Sequence, residues 1–287
     1  MKRFTALFIL IISSCSLRAR YDFKQLALEQ ICGLLSVAAH ETGHALFAKN
    51  ATGKFPEIVL GFPDNQIKKW AAIKIDRNRR SKSILSFNSA GIIGGYTIGN
   101  PNEQVLFQTK ASKIQKIATY AAGPVFGASA DFIMATIIEM YKNRKNKWMS
   151  KKEIFKKAFD RAAPSMLSHL TNLIIPLEET DGANIITELG STWYNDVRPI
   201  LIAMGFVATF FLRGKISKES NDRFSKYRIK PAAALFAGTE LSKIGYEFAN
   251  NGTQSGMDAI SDTGNLIYKN PLAMAGLATH FIPEFSS

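Results

Sequence analysis

The residues that most restrict this chain are His40-Glu41-Thr42-Gly43-His44, a stretch of five holding two of the four histidines among 287 residues. They sit inside an apolar run, with Val37, Ala38 and Ala39 before them and Ala45, Leu46 and Phe47 after. Residues 23–49 contain no proline, and Leu26, Ile31, Leu34, Leu35, Ala38 and Ala39 supply the apolar positions. The pattern predicts one helix there, ended by Asn50 and Gly53. On a helix, positions 40 and 44 lie one turn apart on the same face. Burying two imidazoles and a carboxylate without partners is costly. A shared cation removes that cost, and Zn²⁺ binds imidazole nitrogens at about 2 Å.

Glu41 neighbours that face. Zinc brings the pKa of its water toward neutrality, and a carboxylate so placed can accept the proton and deliver it again. A catalytic zinc commonly takes three protein ligands plus water, so a third ligand must come from elsewhere. One class places Gly three residues and His six residues after the second His; Phe47 and Asn50 stand there, which excludes it. Of the downstream acids, Glu57 and Glu103 lie on no convincing helix, and Asp181 is the better candidate.

Residues 54–100 change character. Ile58-Val59-Leu60 and residues 71–75 are short β-type runs separated by a turn signal at 61–65, and residues 92–98 form another such run. A small β insert is expected there. Residues 117–141 are the longest apolar stretch, with the acid Asp131 in its interior and Gly123-Pro124 a break; the length suits a membrane span or a buried helix. Residues 142–157 read as a basic amphipathic connector, 165–175 as a helix ending near Pro176, and 199–212 as an apolar segment short for a span. Residues 231–248 read as a helix, 250–270 as a loop rich in Gly, Asn, Asp, Ser and Thr, and 271–281 as a last apolar segment.

Composition narrows the surroundings. Mean hydropathy is −0.01, which does not suit a protein made mostly of spans. Two cysteines, Cys15 and Cys32, exclude a disulfide framework. Met1-Lys2-Arg3, the apolar run 4–12 and Ser13-Ser14-Cys15 follow the layout of a secretory signal, too short to span a bilayer. Residues 12–15 also resemble a lipoprotein cleavage box that would lipidate Cys15. Residues 1–20 are therefore expected to be a signal peptide or N-terminal anchor, and 21–287 one metallopeptidase-like domain. The expected location is a membrane, in the first instance the bacterial inner membrane, with export or lipid anchoring through Cys15 as the alternative. The net charge is +13, gathered at 68–82, 142–157 and 213–230. Each cluster alone reads as a solvated basic face. Together, flanking apolar stretches, they suit a membrane surface. No nucleic-acid motif accompanies them, so no nucleic-acid partner is expected.

With these residues in hand, the chain resembles the site-2 protease family of intramembrane zinc metallopeptidases. Ala38-Ala39-His40-Glu41-Thr42-Gly43-His44-Ala45 is similar to the family's first motif. Ala121-Ala122-Gly123-Pro124-Val125-Phe126 is similar to its Ala-Gly-Pro segment. The stretch from Asn172 through Pro176 to Asp181-Gly182 is similar to its third motif, and Gly94-Gly95-Tyr96 to its β insert. The resemblance implies a mainly α, membrane-embedded helical bundle with a small β insert after the first-motif helix. It implies Asp181 as the third zinc ligand, with Gly182 permitting a tight turn there. Asn172 becomes a polar group at the site, a transition-state donor or substrate holder. The implied activity is a zinc-dependent endopeptidase acting on membrane-anchored or membrane-adjacent proteins, with a Glu41-activated water as nucleophile. A soluble or peripheral exported zinc peptidase and a non-catalytic membrane-associated binding protein are the alternatives. His169, three residues before Asn172, could support the site, but His169 and His280 both read as structural by default.

Overall fold

Helix α1, Phe23–Thr52, carries the pentapeptide. It starts where the Asp22 carboxylate accepts from the backbone N–H groups of Lys24 and Gln25, and it ends where Gly53, at φ 75°, turns its own N–H onto the Lys49 carbonyl. The structure, a computed structural model, describes residues 22–60, 71–77, 80–87, 95–98, 107–144, 149–176, 180–190 and 194–269, and is mainly helical. The segment with Cys15, the turn at 61–65, Gly94, Glu103, His280 and residues 271–281 lie outside these.

After α1 come four strands, β1 Glu57–Leu60, β2 Ala71–Arg77, β3 Arg80–Phe87 and β4 Gly95–Ile98, hydrogen-bonded in the order β2-β3-β1-β4. Strand β1 runs parallel to β3 and antiparallel to β4. Ile58 and Leu60 join Ala45 of α1 in a small apolar core.

Helix α2, Lys113–Lys142, opens with a reciprocal cap between Ser112 and Gln115 and continues unbroken through Pro124. Helix α3, Lys151–Ile174, opens with the same device between Ser150 and Glu153. The cap divides the stretch 142–157 that was read as a connector: its second half is the first two turns of α3, so the helix begins 14 residues before the expected 165. Then follow α4 Asp181–Leu189, α5 Tyr194–Arg213, α6 Lys218–Phe224, a π-helical turn Ser225–Ile229, and α7 Lys230–Lys269.

The loop expected at 250–270 is helical up to Lys269, with one break at Gly252, where φ is 88°. Weak helix formers are held there by one-turn and two-turn contacts. Asn251 and Ser255 both donate to Glu247 and Gln254 donates to Asp258, while Thr263 reaches back across the break at Gly252 to donate to Glu240. Composition marked a loop, and these local hydrogen bonds override it.

Helix α2 packs against both α1 and α3. The stripes that the three helices bury are small and polar: Ser36 and His40 on α1, Gly127 and Asp131 on α2, Ala162 and Ser165 on α3. Large apolar side chains point outward; Ile31, Leu35, Ile133, Ile137, Phe155 and Phe159 are all at least half exposed. A helix of a water-soluble bundle shows the reverse pattern. Among the described residues α2 is the one helix long and apolar enough to cross a membrane, and a bent pair at 198–213 and 218–229 would add one more.

Charged groups tie the bundle together. Arg161 on α3 bonds Glu29 on α1 and reaches Glu139 on α2 at 3.4 Å. Arg223 on α6 lies 3.4 Å from Glu29 and donates to the Arg161 carbonyl at 2.7 Å. The cluster 213–230, read as a solvated face, thus turns Arg223 inward, and Arg228 with it. Their partners are acids buried among the helices, not solvent.

Candidate metal centre

His40 and His44 project from the same face of α1, one turn apart, as their spacing requires. Their rings meet edge to face, with centroids 4.8 Å apart and the two Nε2 atoms 3.1 Å apart. Asp181 arrives from the start of α4, 137 positions beyond His44 in the chain. One of its oxygens lies 3.3 Å from His40 Nε2 and the other 3.3 Å from His44 Nε2. Four ligands placed tetrahedrally about 2.0 Å from a zinc ion stand about 3.3 Å from one another. The three groups therefore have the spacing that a single ion needs, and they form a set able to hold a metal. Glu41 is buried beside them, 5% exposed.

Local structure sets each member. The His44 Nδ1 lies 2.7 Å from the Thr119 carbonyl of α2. A carbonyl only accepts, so this nitrogen carries a proton, and in the neutral ring the lone pair is on Nε2, facing the cluster. His44 stands directly over Gly123: a Cβ there would lie 2.1 Å from His44 Nε2. The glycine of the Ala-Gly-Pro segment is thus the floor on which this ligand rests.

Asp181 is the first residue of α4, at the positive end of the helix dipole, with Thr180 as N-cap. The Thr180 hydroxyl accepts from the Ala183 N–H at 3.1 Å and donates to the Ile175 carbonyl at 2.9 Å. Gly182 was expected to allow a tight turn. The backbone there is helical, and the reason for glycine is a close approach: a Cβ would lie 2.3 Å from the Leu173 carbonyl at the end of α3. The other end of α4 is tied to α2 by Lys113 Nζ on the Leu189 carbonyl and by Lys116 on Glu188.

Asn172 donates from Nδ2 to Asp181 Oδ2 at 2.5 Å, and so fixes the carboxylate from the α3 side. Burial alone would push the Asp181 carboxyl upward, but the charge of His44 and the hydrogen bonds of both histidines outweigh it and hold the group down at about 2. It is an anion across the working pH range. With both rings neutral, the two imidazoles and the Asp181 carboxylate make a donor set that suits a hard to borderline dication such as zinc.

The sequence reading brought together His40, Glu41, His44, Asp181 and Asn172, and all five meet here. Glu103 lies outside the described residues. His169, read as structural by default, stands within the site: its ring stacks on His40 at 5.1 Å between centroids, and its Nδ1 is 3.1 Å from His40 Nδ1. Ser36, Asp131 and Arg228 were missed altogether. Signals exist for Asp131 and for His169. Asp131 is an acid in the middle of the longest apolar stretch, which demands a partner. Ser165, His169 and Asn172 follow at i, i+4 and i+7, so His169 shares a helix face with a motif residue. Arg228 had no such signal within its basic cluster.

A family model, peptidase family M50, matches residues 31–213. No curated protein and no solved structure matches the chain.

Proposed function

The chain belongs to peptidase family M50, the site-2 protease family, and from that premise we propose that it is a zinc-dependent endopeptidase cleaving membrane-anchored or membrane-adjacent proteins. The observation that carries the reading is the convergence of His40 Nε2, His44 Nε2 and the Asp181 carboxylate at 3.1 to 3.3 Å with Glu41 buried alongside.

His40, His44 and Asp181 would hold the ion. Bound zinc supplies a Lewis acid that polarises the scissile carbonyl and brings the pKa of water toward neutrality. Glu41 accepts a proton from the attacking water and passes it to the leaving amine. Its burial keeps competing solvent away from that transfer. Asn172 positions the Asp181 carboxylate with one amide N–H, and the second N–H of that amide can serve as the transition-state donor or substrate holder.

The membrane part of the reading is supported by the outward-facing apolar side chains, the polar buried stripes and the apolar length of α2. Buried ionisable groups facing a bundle interior, with large apolar groups outside, suit lipid surroundings. Carbonate washing of membranes tests this: retention in the pellet is expected, and release would leave a peripheral zinc peptidase with the same ligands.

The activity test uses purified full-length protein, a membrane-anchored model substrate, and Glu41→Gln. Zinc near one per chain in both proteins with cleavage only in the wild type is the expected result. Zinc in both with no Glu41-dependent cleavage would leave a non-catalytic binding protein instead.

A further inference from the structure

Behind His40, on the side away from Asp181, lies a chain of hydrogen bonds that ends on a cation. Arg228 places two guanidinium nitrogens 3.2 Å from Asp131 Oδ1. The other oxygen, Oδ2, receives the hydroxyls of Ser165 and of Ser36, the latter at 2.9 Å. Ser36 Oγ also lies 2.8 Å from His169 Nε2, which is itself 3.3 Å from Asp131 Oδ2. His169 Nδ1 then faces His40 Nδ1 at 3.1 Å.

Hydrogen-bond chemistry allows this chain one direction. A carboxylate paired with a guanidinium only accepts. Ser36 therefore donates to Asp131, and its oxygen accepts from His169 Nε2–H. His169 Nδ1 is then the lone-pair nitrogen, and it accepts from His40 Nδ1–H. The lone pair of His40 is left on Nε2, the atom 3.3 Å from Asp181 and 3.1 Å from His44. His44 reaches the same state by a simpler route, through the Thr119 carbonyl. The two histidines are thus set in the same tautomer by two different devices.

We infer that His169, held by Ser36 and the Asp131–Arg228 pair, is a positioning residue that fixes the tautomer and ring orientation of His40. The inference rests on the zinc reading above. It also makes the C-terminal region part of the site, because Arg228 lies outside the segment 31–213 matched by the family model.

Two further features fit a built arrangement. Gly127 of α2 leaves the space that His169 occupies: a Cβ there would lie 2.4 Å from the ring. Arg228 is delivered by the π-helical turn Ser225–Ile229, and the carbonyls of Tyr227 and Arg228 accept from Gln30 Nε2 of α1 at 2.7 and 3.1 Å. Arg228 Nη2 also donates to the Cys32 carbonyl at 3.2 Å. Wide turns of this kind recur at functional sites.

The test compares full-length wild type with His169→Leu, His169→Asn, Arg228→Gln and, as control, His44→Ala. Zinc affinity is read by chelator competition, and ligand geometry by the visible spectrum of the cobalt(II)-loaded protein. Circular dichroism of the metal-free proteins checks the fold. Leucine fills the ring's space without accepting a hydrogen bond, whereas the asparagine oxygen can stand in for Nδ1. His169→Leu is expected to bind zinc about 10- to 100-fold more weakly, the range for loss of a group that orients a metal ligand, and to change the cobalt spectrum. His169→Asn should recover most of the affinity and the wild-type spectrum, and Arg228→Gln should show a smaller loss in the same direction. Wild-type affinity and spectrum in His169→Leu, with zinc lost in His44→Ala, would overturn the positioning role and leave the zinc reading standing. Should His169→Leu not fold, an Asn variant weakened as much as Arg228→Gln or more would overturn the role equally. Undiminished zinc binding in His44→Ala would instead overturn the zinc reading, and the inference with it.

Discussion

Two of the groups of charged side chains buried in the α1–α2–α3 bundle differ in how their charges balance. Toward the start of α1, Glu29 and Glu139 meet Arg161 and Arg223. Two acids face two guanidinium groups at ion-pair distance. Toward the end of α1, Glu41 and Asp181 meet His40 and His44, which are neutral when their Nε2 lone pairs face the cluster. In that group the two Nε2 atoms and the Asp181 carboxylate converge on one point. A buried charge by itself is therefore a poor guide to a site. The guide is a set of lone pairs whose geometry and charge remain incomplete without an ion.

The contrast predicts opposite consequences when each group is broken. The largest effect belongs to the incomplete one. His44→Ala should abolish zinc binding and cleavage together, whereas Glu41→Gln should retain zinc and lower the cleavage rate by about 100- to 10,000-fold, the usual range for a general base. Zinc content and single-turnover cleavage on the same preparations separate the two; equal zinc loss in both would erase the distinction between ligand and base.

The closed group should fail through stability. Arg161→Ala leaves Glu29 and Glu139 buried without their shared partner, and loss of one member of such a group costs about 3–5 kcal/mol. Denaturant unfolding in detergent reads this loss, and the folded fraction should bind zinc with wild-type affinity. A zinc affinity that falls in step with stability would mean that the two groups are not separate.

Removing zinc with a chelator sharpens the same point at smaller amplitude. Cleavage should stop and return on adding zinc, while the helical circular dichroism stays, since caps, packing and the closed charge group hold the bundle without the ion. Collapse of the helical signal on chelation would make the ion a structural element.

Why some of this was legible in the chain, and some not, follows from how each residue meets its partner. His40, Glu41 and His44 act within one helical turn, so their spacing alone places them. Asp181 and Asn172 could be reached because they stand in a short stretch with its own pattern. Asp131, Ser36 and Arg228 interact across 95 or more positions of chain, and no local period encodes such contacts. Arg228 was further concealed by its basic neighbours. The segment 250–270 was misread because its weak helix formers are held by their own side-chain hydrogen bonds, as with Asn251 and Ser255 on Glu247.

The smallest expected effect lies at the edge of the incomplete group. Thr180→Ala removes the N-cap of α4, worth about 0.5–2 kcal/mol, and loosens the backbone that presents Asp181. Thr180→Ser keeps the hydroxyl and should restore stability. Thermal unfolding of the two variants against wild type decides it, and equal melting of Ala and Ser variants would count against the cap.

The central claim is that two imidazoles and the Asp181 carboxylate share one ion. Zinc affinity of Asp181→Asn, measured beside wild type with helical content matched, addresses it most directly. About one zinc per wild-type chain and a much weaker, readily chelated ion in the variant is the predicted result. Wild-type stoichiometry and affinity in Asp181→Asn would contradict it.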